Sequence, residues 1–224
     1  MYTLRVTPSD VNVDIQMAAT RNRDSYHHGD LRRILIAFAL RRVRSGGADG
    51  FSLREAARAA GVTAGAVYRH FDDREALLAA VAVEGFRLLA VRTMRATTGA
   101  AGIHRLLATG RAYVAFASAE PRLFRLMFSQ VGTRARQEYV EMPDAPSSFE
   151  QMRAALVEVA GVEAGADEAV LAHAWSVAHG AASLICDGVW MRNDPRAEAA
   201  LQGFVKLAAS WRQETKKRPT AHRN

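Results

Sequence analysis

Residues 52–71, SLREAARAAGVTAGAVYRHF, restrict what this chain can fold into more than any other stretch. Ser52 followed by Glu55 is a capping box, in which each side chain satisfies a backbone donor at a helix start. Leu53, Ala56, Ala57 and Ala60 recur at helical spacing and form one narrow apolar face. Gly61 follows at once and can turn left-handed without a Cβ clash. Thr63 then caps a second helix, whose Val67 and Phe71, four apart, make its buried edge. Ala57 is small enough for the two helices to cross closely, Gly61 makes the corner and Val67 fills the angle. The stretch is a helix-turn-helix.

Two short amphipathic helices joined by glycine also occur in all-α proteins that never meet nucleic acid. The outward residues of the second helix point to DNA. Thr63, Ala64, Gly65, Ala66, Tyr68, Arg69 and His70 place small residues at its front and hydrogen-bond donors behind. Small residues let a helix N-terminus sink into the major groove, where base edges are read. Tyr, Arg and His then hold phosphates, fixing register without reading sequence. Between Glu55 and Asp72 there is no carboxylate to repel a phosphate.

The charge distribution agrees. The 224 residues carry a net charge of +7, but residues 21–74 hold 11 Arg against 6 Asp and Glu. Residues 212–224 hold 5 Lys and Arg against Glu214 alone. A basic front end on a near-neutral body suits a protein that meets a polyanion with one domain; the basic C-terminus reads as a solvated tail. Hydrophobic residues make up 49% and charged residues 24% of the chain, ordinary for a globular protein with a sizeable core. No apolar run approaches the ~20 residues that cross a bilayer, and the N-terminus lacks the apolar centre of a secretory signal. No membrane partner is expected. The lone Cys186 cannot form an internal disulfide, which fits a reducing cytoplasm.

In chain order, residues 1–26 form a polar, basic arm without helical or strand period. Translation beginning at Met17 rather than Met1 and an ordinary disordered N-terminus fit equally. Residues 30–44 form the first helix, stopped by Gly46-Gly47. The helix-turn-helix follows, then a capping-box-like pair, Asp72 and Glu75, opens a long helix to about Ala96. Helices are expected over 103–119, from Pro121 through RLFRLMF, over about 134–141, and over 149–160. MPDAPSS and GVEAGAD are breaks. Two long segments, 167–190 and 196–215, end the fold. No strand or internal repeat is expected. The reading is an all-α chain of about nine helices: a flexible arm (1–26), a helix-turn-helix domain (27–74), an effector-binding and dimerisation domain (75–215) and a basic tail (216–224).

Residues 51–78, FSLREAARAAGVTAGAVYRHFDDREALL, resemble the DNA-binding domain of the TetR family of transcriptional repressors. Residues 25–32, SYHHGDLR, resemble the entry to helix one in TetR-like regulators with a WHG-type C-terminal domain, and Trp175, His179 and Gly180 match the residues that give that domain its name. The resemblance implies DNA contacts at Arg54, Thr63, Ala64, Gly65, Tyr68, His70 and Arg74. Many relatives have Pro at the position of Ala64 and Lys at that of Arg74. His27 and His28 stand as phosphate contacts or as a solvated pair. The resemblance further implies an inverted-repeat operator and a homodimer, the last two helices of each subunit forming a four-helix bundle. Ala174, Ala178, Ala181, Ala182, Ser183 and Gly188, with Ala199, Ala200, Gly203 and Ala208, are small residues that permit close helix approach. Leu201, Phe204, Leu207 and Trp211 are larger anchors. Tight packing within one subunit would use the same residues.

The resemblance also implies a small-molecule effector, whose identity the sequence does not give. Phe116, Phe124, Met127, Phe128, Trp175 and His179 are the candidates to line its pocket, though such a stripe at helical spacing equally serves as plain core. An enzyme is the first rival, with His104, His173, His179 and Cys186 as the available chemistry. His173 and His179 are six apart and do not share a helical face as i, i+4 ligands do, and neither a phosphate loop nor a nucleophile elbow is present. No cofactor or metal is expected. A DNA-independent interaction protein is the second rival.

Overall fold

The computed structural model describes residues 28–140 and 146–217, and among these every regular element is helical. The helices are α1 (His28–Gly46), α2 (Leu53–Ala60), α3 (Ala64–Tyr68), α4 (Arg74–Ala96), α5 (Gly102–Ala119) and α6 (Pro121–Met127). They continue as α7 (Gln130–Val140), α8 (Ser148–Ala160), α9 (Val162–Ala166), α10 (Glu168–Cys186) and α11 (Pro195–Lys217). The expected all-α fold is present, with eleven helices described where about nine were expected. Nine have seven residues or more; the short ones are α3 and α9. The expected basic arm and most of the basic tail lie outside the described residues.

Local chemistry sets the boundaries. Gly47, at φ +82°, turns the chain out of α1. Asp73, not Asp72, caps α4: its backbone is extended and its carboxylate accepts the Ala76 N–H at 2.7 Å. Pro121 opens α6 at the first position, where its missing N–H costs nothing. The GVEAGAD break contains α9, a single turn. Helix α10 stops at Cys186, four residues before the expected end, and Gly188 at φ +74° reverses the chain toward α11.

Helix α4 is the axis of the molecule. Eleven of its residues are buried, from Leu77 to Thr93. One apolar cluster runs from Leu31, Leu35 and Val67 through Leu77 and Leu89 to Met127 and Ala182, so the helix-turn-helix and the body share a core. A second gathers Leu106, Leu156, Leu171 and Phe204 from α5, α8, α10 and α11. Each fully buried Leu or Phe stabilises the fold by roughly 1.5–3 kcal/mol relative to exposure. Two glycines mark close helix crossings. A Cβ on Gly85 of α4 would lie 2.7 Å from Met127 Sδ of α6, and one on Gly110 of α5 would lie 2.7 Å from Leu201 of α11.

Polar ties fasten the head to the body at one place. Glu120, at the start of α6, accepts from Arg44 Nε of α1 at 3.0 Å and from Arg92 of α4 at 3.3 Å. Arg122 of α6 donates to the Arg44 and Ser45 carbonyls at the end of α1, at 3.1 and 2.7 Å.

Helix α10 corrects one expectation. With 19 residues and a mean hydropathy of 1.4, it is long and apolar enough to cross a membrane by length and composition. Six of its residues are alanine, and Leu171, Ala174, Ala178, Ala181, Ala182 and Cys186 pack into the core. Only 33% of that stretch is buried within the subunit.

Candidate nucleic-acid interface and ligand cavity

The helix-turn-helix is held by the devices its sequence announces. Ser52 N–H donates to Glu55 Oε2 at 2.6 Å, and Glu55 N–H donates to Ser52 Oγ at 3.2 Å. These bonds, the backbone one first, hold the Glu55 carboxyl below its usual pKa. Gly61 has φ +69° and ψ 28°, the left-handed corner, and its N–H bonds back to α2. Thr63 Oγ1 accepts the Ala66 N–H at 3.3 Å to open α3. Val67 is fully buried and Phe71 nearly so, while Ala56 and Ala57 of α2 receive them.

This arrangement sorts the residues expected to meet DNA. Thr63, Ala64, Gly65 and Tyr68 are exposed on α3, Tyr68 at 52%, and Arg54 is exposed on α2. A Cβ on Gly65 would have only Thr63 Oγ1 nearby, at 4.0 Å, so nothing within the subunit requires glycine there. Ala66 is buried and leaves the outward set. His70 is half-buried, its N–H bonded to the Val67 carbonyl at 2.9 Å, so it stands at the edge of the face. Arg74 turns inward: its guanidinium donates to the Ala48 carbonyl and to Asp49 Oδ1 and lies 5.9 Å from the Phe51 ring centre. It ties the start of α4 to the loop after α1. His27 lies outside the described residues, and His28 is the first residue of α1.

The body contains a cavity of about 370 Å³ between α4, α5, α7, α8, α10 and α11. Phe86, Tyr113, Phe128, Met152, Trp175 and Phe204 make most of its apolar wall, and Arg136 of α7 reaches it from one side. Of the residues expected to line it, Phe128 and Trp175 do. Phe116, Phe124 and Met127 belong to the apolar core and are almost wholly buried. His179 stacks on Trp175, with ring centres 4.7 Å apart and planes 20° apart, and its Nδ1 lies 2.9 Å from Tyr113 Oη. Burial, and then the charge of Arg136, pushes the His179 pKa down; burial pushes the Tyr113 hydroxyl up. Both groups are therefore neutral near pH 7, and a hydroxyl can donate to or accept from either tautomer of the ring.

Tyr113 and Arg136 were not anticipated. Tyr113 shares the inner face of α5 with Leu106, Gly110 and Phe116, a spacing the sequence does carry. For Arg136 there was no signal, because only the tertiary fold brings α7 against the cavity.

His104 is exposed on α5 and His173 is exposed on α10, 5.4 Å from the Phe204 ring. Cys186 is buried, and that burial pushes its thiol up to about 11. Among the described residues no three His, Cys, Asp or Glu side chains are placed to hold a metal.

Residues 35–81 match the family described as bacterial regulatory proteins of the tetR family, and residues 106–209 match the tetracyclin repressor-like C-terminal domain. The chain belongs to the TetR family of transcriptional regulators. The second match includes Trp175, His179 and Gly180. Among solved structures, this TetR-family chain is 32% identical to a protein of unknown function from Rhodococcus sp. RHA1, with 85% of this chain and 98% of that one covered and a TM-score of 0.57. It shares its fold with a regulatory protein of the tetR family from Rhodococcus RHA1, at 19% identity, 81% and 96% coverage and a TM-score of 0.51. RolR in complex with resorcinol has the same fold, at 21% identity, 87% and 97% coverage and a TM-score of 0.57. A comparison with curated proteins gives no match.

Proposed function

We propose that this TetR-family regulator is a ligand-responsive homodimeric repressor that binds an inverted-repeat operator in the cytoplasm. The observation that carries this reading is the exposed front of α3, where Thr63, Ala64 and Gly65 stand clear of any carboxylate on the same helix. An open helix N-terminus with small side chains is what close approach to base edges requires. Arg54 and Tyr68 flank it as phosphate contacts, and His70 is retained at the margin. Arg74 serves the interface by holding the start of α4 rather than by touching DNA. The head is assigned to residues 27–74 and the body to 75–215.

Helices α10 and α11 support a dimer. The small residues Ala174, Ala178, Ala181, Ala182 and Ala208 are consumed by the subunit's own core, as are Leu201 and Phe204. Ala199, Gly203 and Leu207 on α11 remain exposed, and Gly180 on α10 is half-exposed. A Cβ on Gly180 or Gly203 would meet nothing within 4 Å. A mid-helix glycine costs roughly 1 kcal/mol against alanine, and a partner helix packed closely on it offsets that cost. The cavity is assigned to the effector. RolR is a protein of this fold that was solved with resorcinol, and the cavity here falls within the usual size of small-molecule sites, about 300–1,000 Å³. A useful switch requires the effector to favour the DNA-free arrangement by about 1–3 kcal/mol.

The test is a footprint on the DNA upstream of the regulator's own gene, at two salt concentrations. Two protected half-sites related by a two-fold axis, lost steeply with salt, are expected. Protection of one asymmetric half-site would remove the dimer. Salt-insensitive or absent duplex binding would remove the DNA-binding assignment of α3.

A further inference from the structure

We propose that the cavity takes a largely apolar molecule bearing one carboxylate, and that Arg136 is the residue that seats that group. The inference rests on the assignment of the cavity to the effector and adds the ligand's chemical class.

Several polar side chains around the cavity are engaged within the subunit. Thr93 Oγ1 donates to the Leu89 carbonyl at 3.0 Å, and Thr109 Oγ1 donates to the Arg105 carbonyl at 2.9 Å, so both donors serve their own helices. Ser147 Oγ caps α8 by accepting the Glu150 N–H at 3.1 Å. Tyr113 Oη is engaged with His179.

Arg136 differs from all of these. It is half-buried and is the charged residue among those lining the cavity. Its Nη2 donates to Thr133 Oγ1 at 2.9 Å, one turn back, and its guanidinium carbon lies 5.7 Å from the Phe128 ring centre. Neither partner carries a charge, and among the described residues Arg136 forms no ion pair. A guanidinium has five N–H donors and cannot shed its charge at any ordinary pH.

A fixed cation in an apolar wall is costly once water is displaced, unless a counter-charge enters with the displacing molecule. A neutral apolar ligand would desolvate Arg136 and give nothing back. A carboxylate can accept two parallel N–H bonds from the guanidinium edge while its apolar body covers Phe86, Met152 and Phe204. The guanidinium stands over the Phe128 ring, whose centre lies 4.6 Å from that of His179, so the charge borders the aromatic side of the cavity. The wall thus discriminates against neutral molecules as well as favouring anions.

The experiment is calorimetric titration of the full-length regulator with matched acid and alcohol pairs, 4-phenylbutanoate with 4-phenylbutanol and decanoate with decanol. In the natural protein each acid is expected to bind at least tenfold tighter than its alcohol. In Arg136→Met the two members of a pair should converge, with the alcohol's affinity unchanged or improved. Arg136→Lys should retain a reduced preference. Equal binding of acid and alcohol by the natural protein overturns the inference while leaving the effector cavity standing, and this comparison needs no variant to fold. An acid preference that persists in Arg136→Met removes Arg136 from the role. Absence of binding by every acid and alcohol, with operator binding intact, overturns the cavity assignment and this inference with it.

Discussion

Tyr113 of α5 and His179 of α10 are joined through a 2.9 Å contact between Oη and Nδ1, in the layer of rings that backs the cavity. Phe124 and Phe128 close around the same imidazole, with ring centres 5.5 and 4.6 Å away. This layer makes stability depend on pH. Burial, with Arg136 second, holds the folded-state pKa of His179 below the ordinary value of about 6.5. The unfolded chain therefore binds a proton that the folded one refuses. The stabilisation is complete above about pH 6.5 and is lost as pH falls below it. The urea midpoint should drop between about pH 7.5 and pH 5.5, and His179→Gln should flatten that drop. A variant with the natural pH profile would clear His179 of responsibility.

Gly65→Ala separates folding from DNA binding. The added methyl meets nothing closer than 4.0 Å within the subunit and improves helix propensity, so stability should hold or rise slightly. On the proposed DNA-binding face, operator affinity should fall by about tenfold, roughly 1.4 kcal/mol, because the methyl would stand where the groove approaches. Melting temperature and gel-shift titration on the same preparation check both halves.

Arg54 and Tyr68 should part company in salt. If each subunit places Arg54 on one phosphate, Arg54→Ala lowers the slope of log affinity against log salt by about 2, near 0.9 for each of two phosphates. Tyr68→Phe removes a neutral donor, so affinity should weaken alike on all sequences with the slope retained. Fluorescence anisotropy from about 50 to 300 mM salt gives both slopes; a Tyr68→Phe variant with altered base preference would reassign that residue to readout.

Gly203→Glu should yield a folded monomer. Its side chain enters open space in the isolated subunit but, on the proposed dimer, would carry a charge into the α11 interface. Sedimentation velocity should show half the natural mass with an unchanged helical circular dichroism spectrum. A dimer that survives this substitution moves the interface off α11.

Gly85 and Met127 should show coupling of opposite signs. Gly85→Ala alone sets a Cβ 2.7 Å from Sδ of a fully buried methionine, and overpacking of this kind costs about 1–3 kcal/mol. In a Met127→Ala background the same change should be neutral or stabilising, since the space is vacated and alanine suits a helix. Urea unfolding of the four proteins at one concentration completes the cycle. Ala82, fully buried on the same helix, gives no such clean test: Ala82→Leu adds bulk where no cavity receives it, and any change in operator affinity would come with lower melting.

The features legible in the sequence are those whose partners lie within a few residues. Ser52 with Glu55, Gly61 and Thr63 act over three or four positions, so composition and spacing reveal them. The sequence offers a phosphate role for Arg74 but cannot reveal its bonds to Ala48 O and Asp49, which lie 26 and 25 positions away on another loop. Phe116, Phe124 and Met127 are as aromatic or soft as Phe128, and only the crossing of α4, α5 and α10 decides which rings face the core and which face the cavity. The alanines of α10 were ambiguous for the same reason: smallness says that something comes close, without saying whether it is the same chain or another.

Glu120 has a mechanical consequence. With Arg122 it pins the end of α1 beside α6, while Gly85 lets Met127 of α6 seat on α4 a little further along, so one short helix bears on α1 and α4 together. That placement makes α6 a fulcrum. Gly85 lies 11 residues from Arg74 along α4, about 16 Å at 1.5 Å per residue. A tilt of about 10° there carries the front of the helix some 3 Å, close to the ~3.4 Å axial rise per nucleotide of one DNA strand. On the proposed repressor reading, a small tilt set by the rings beside α6 is thereby enlarged to about one nucleotide step at the DNA.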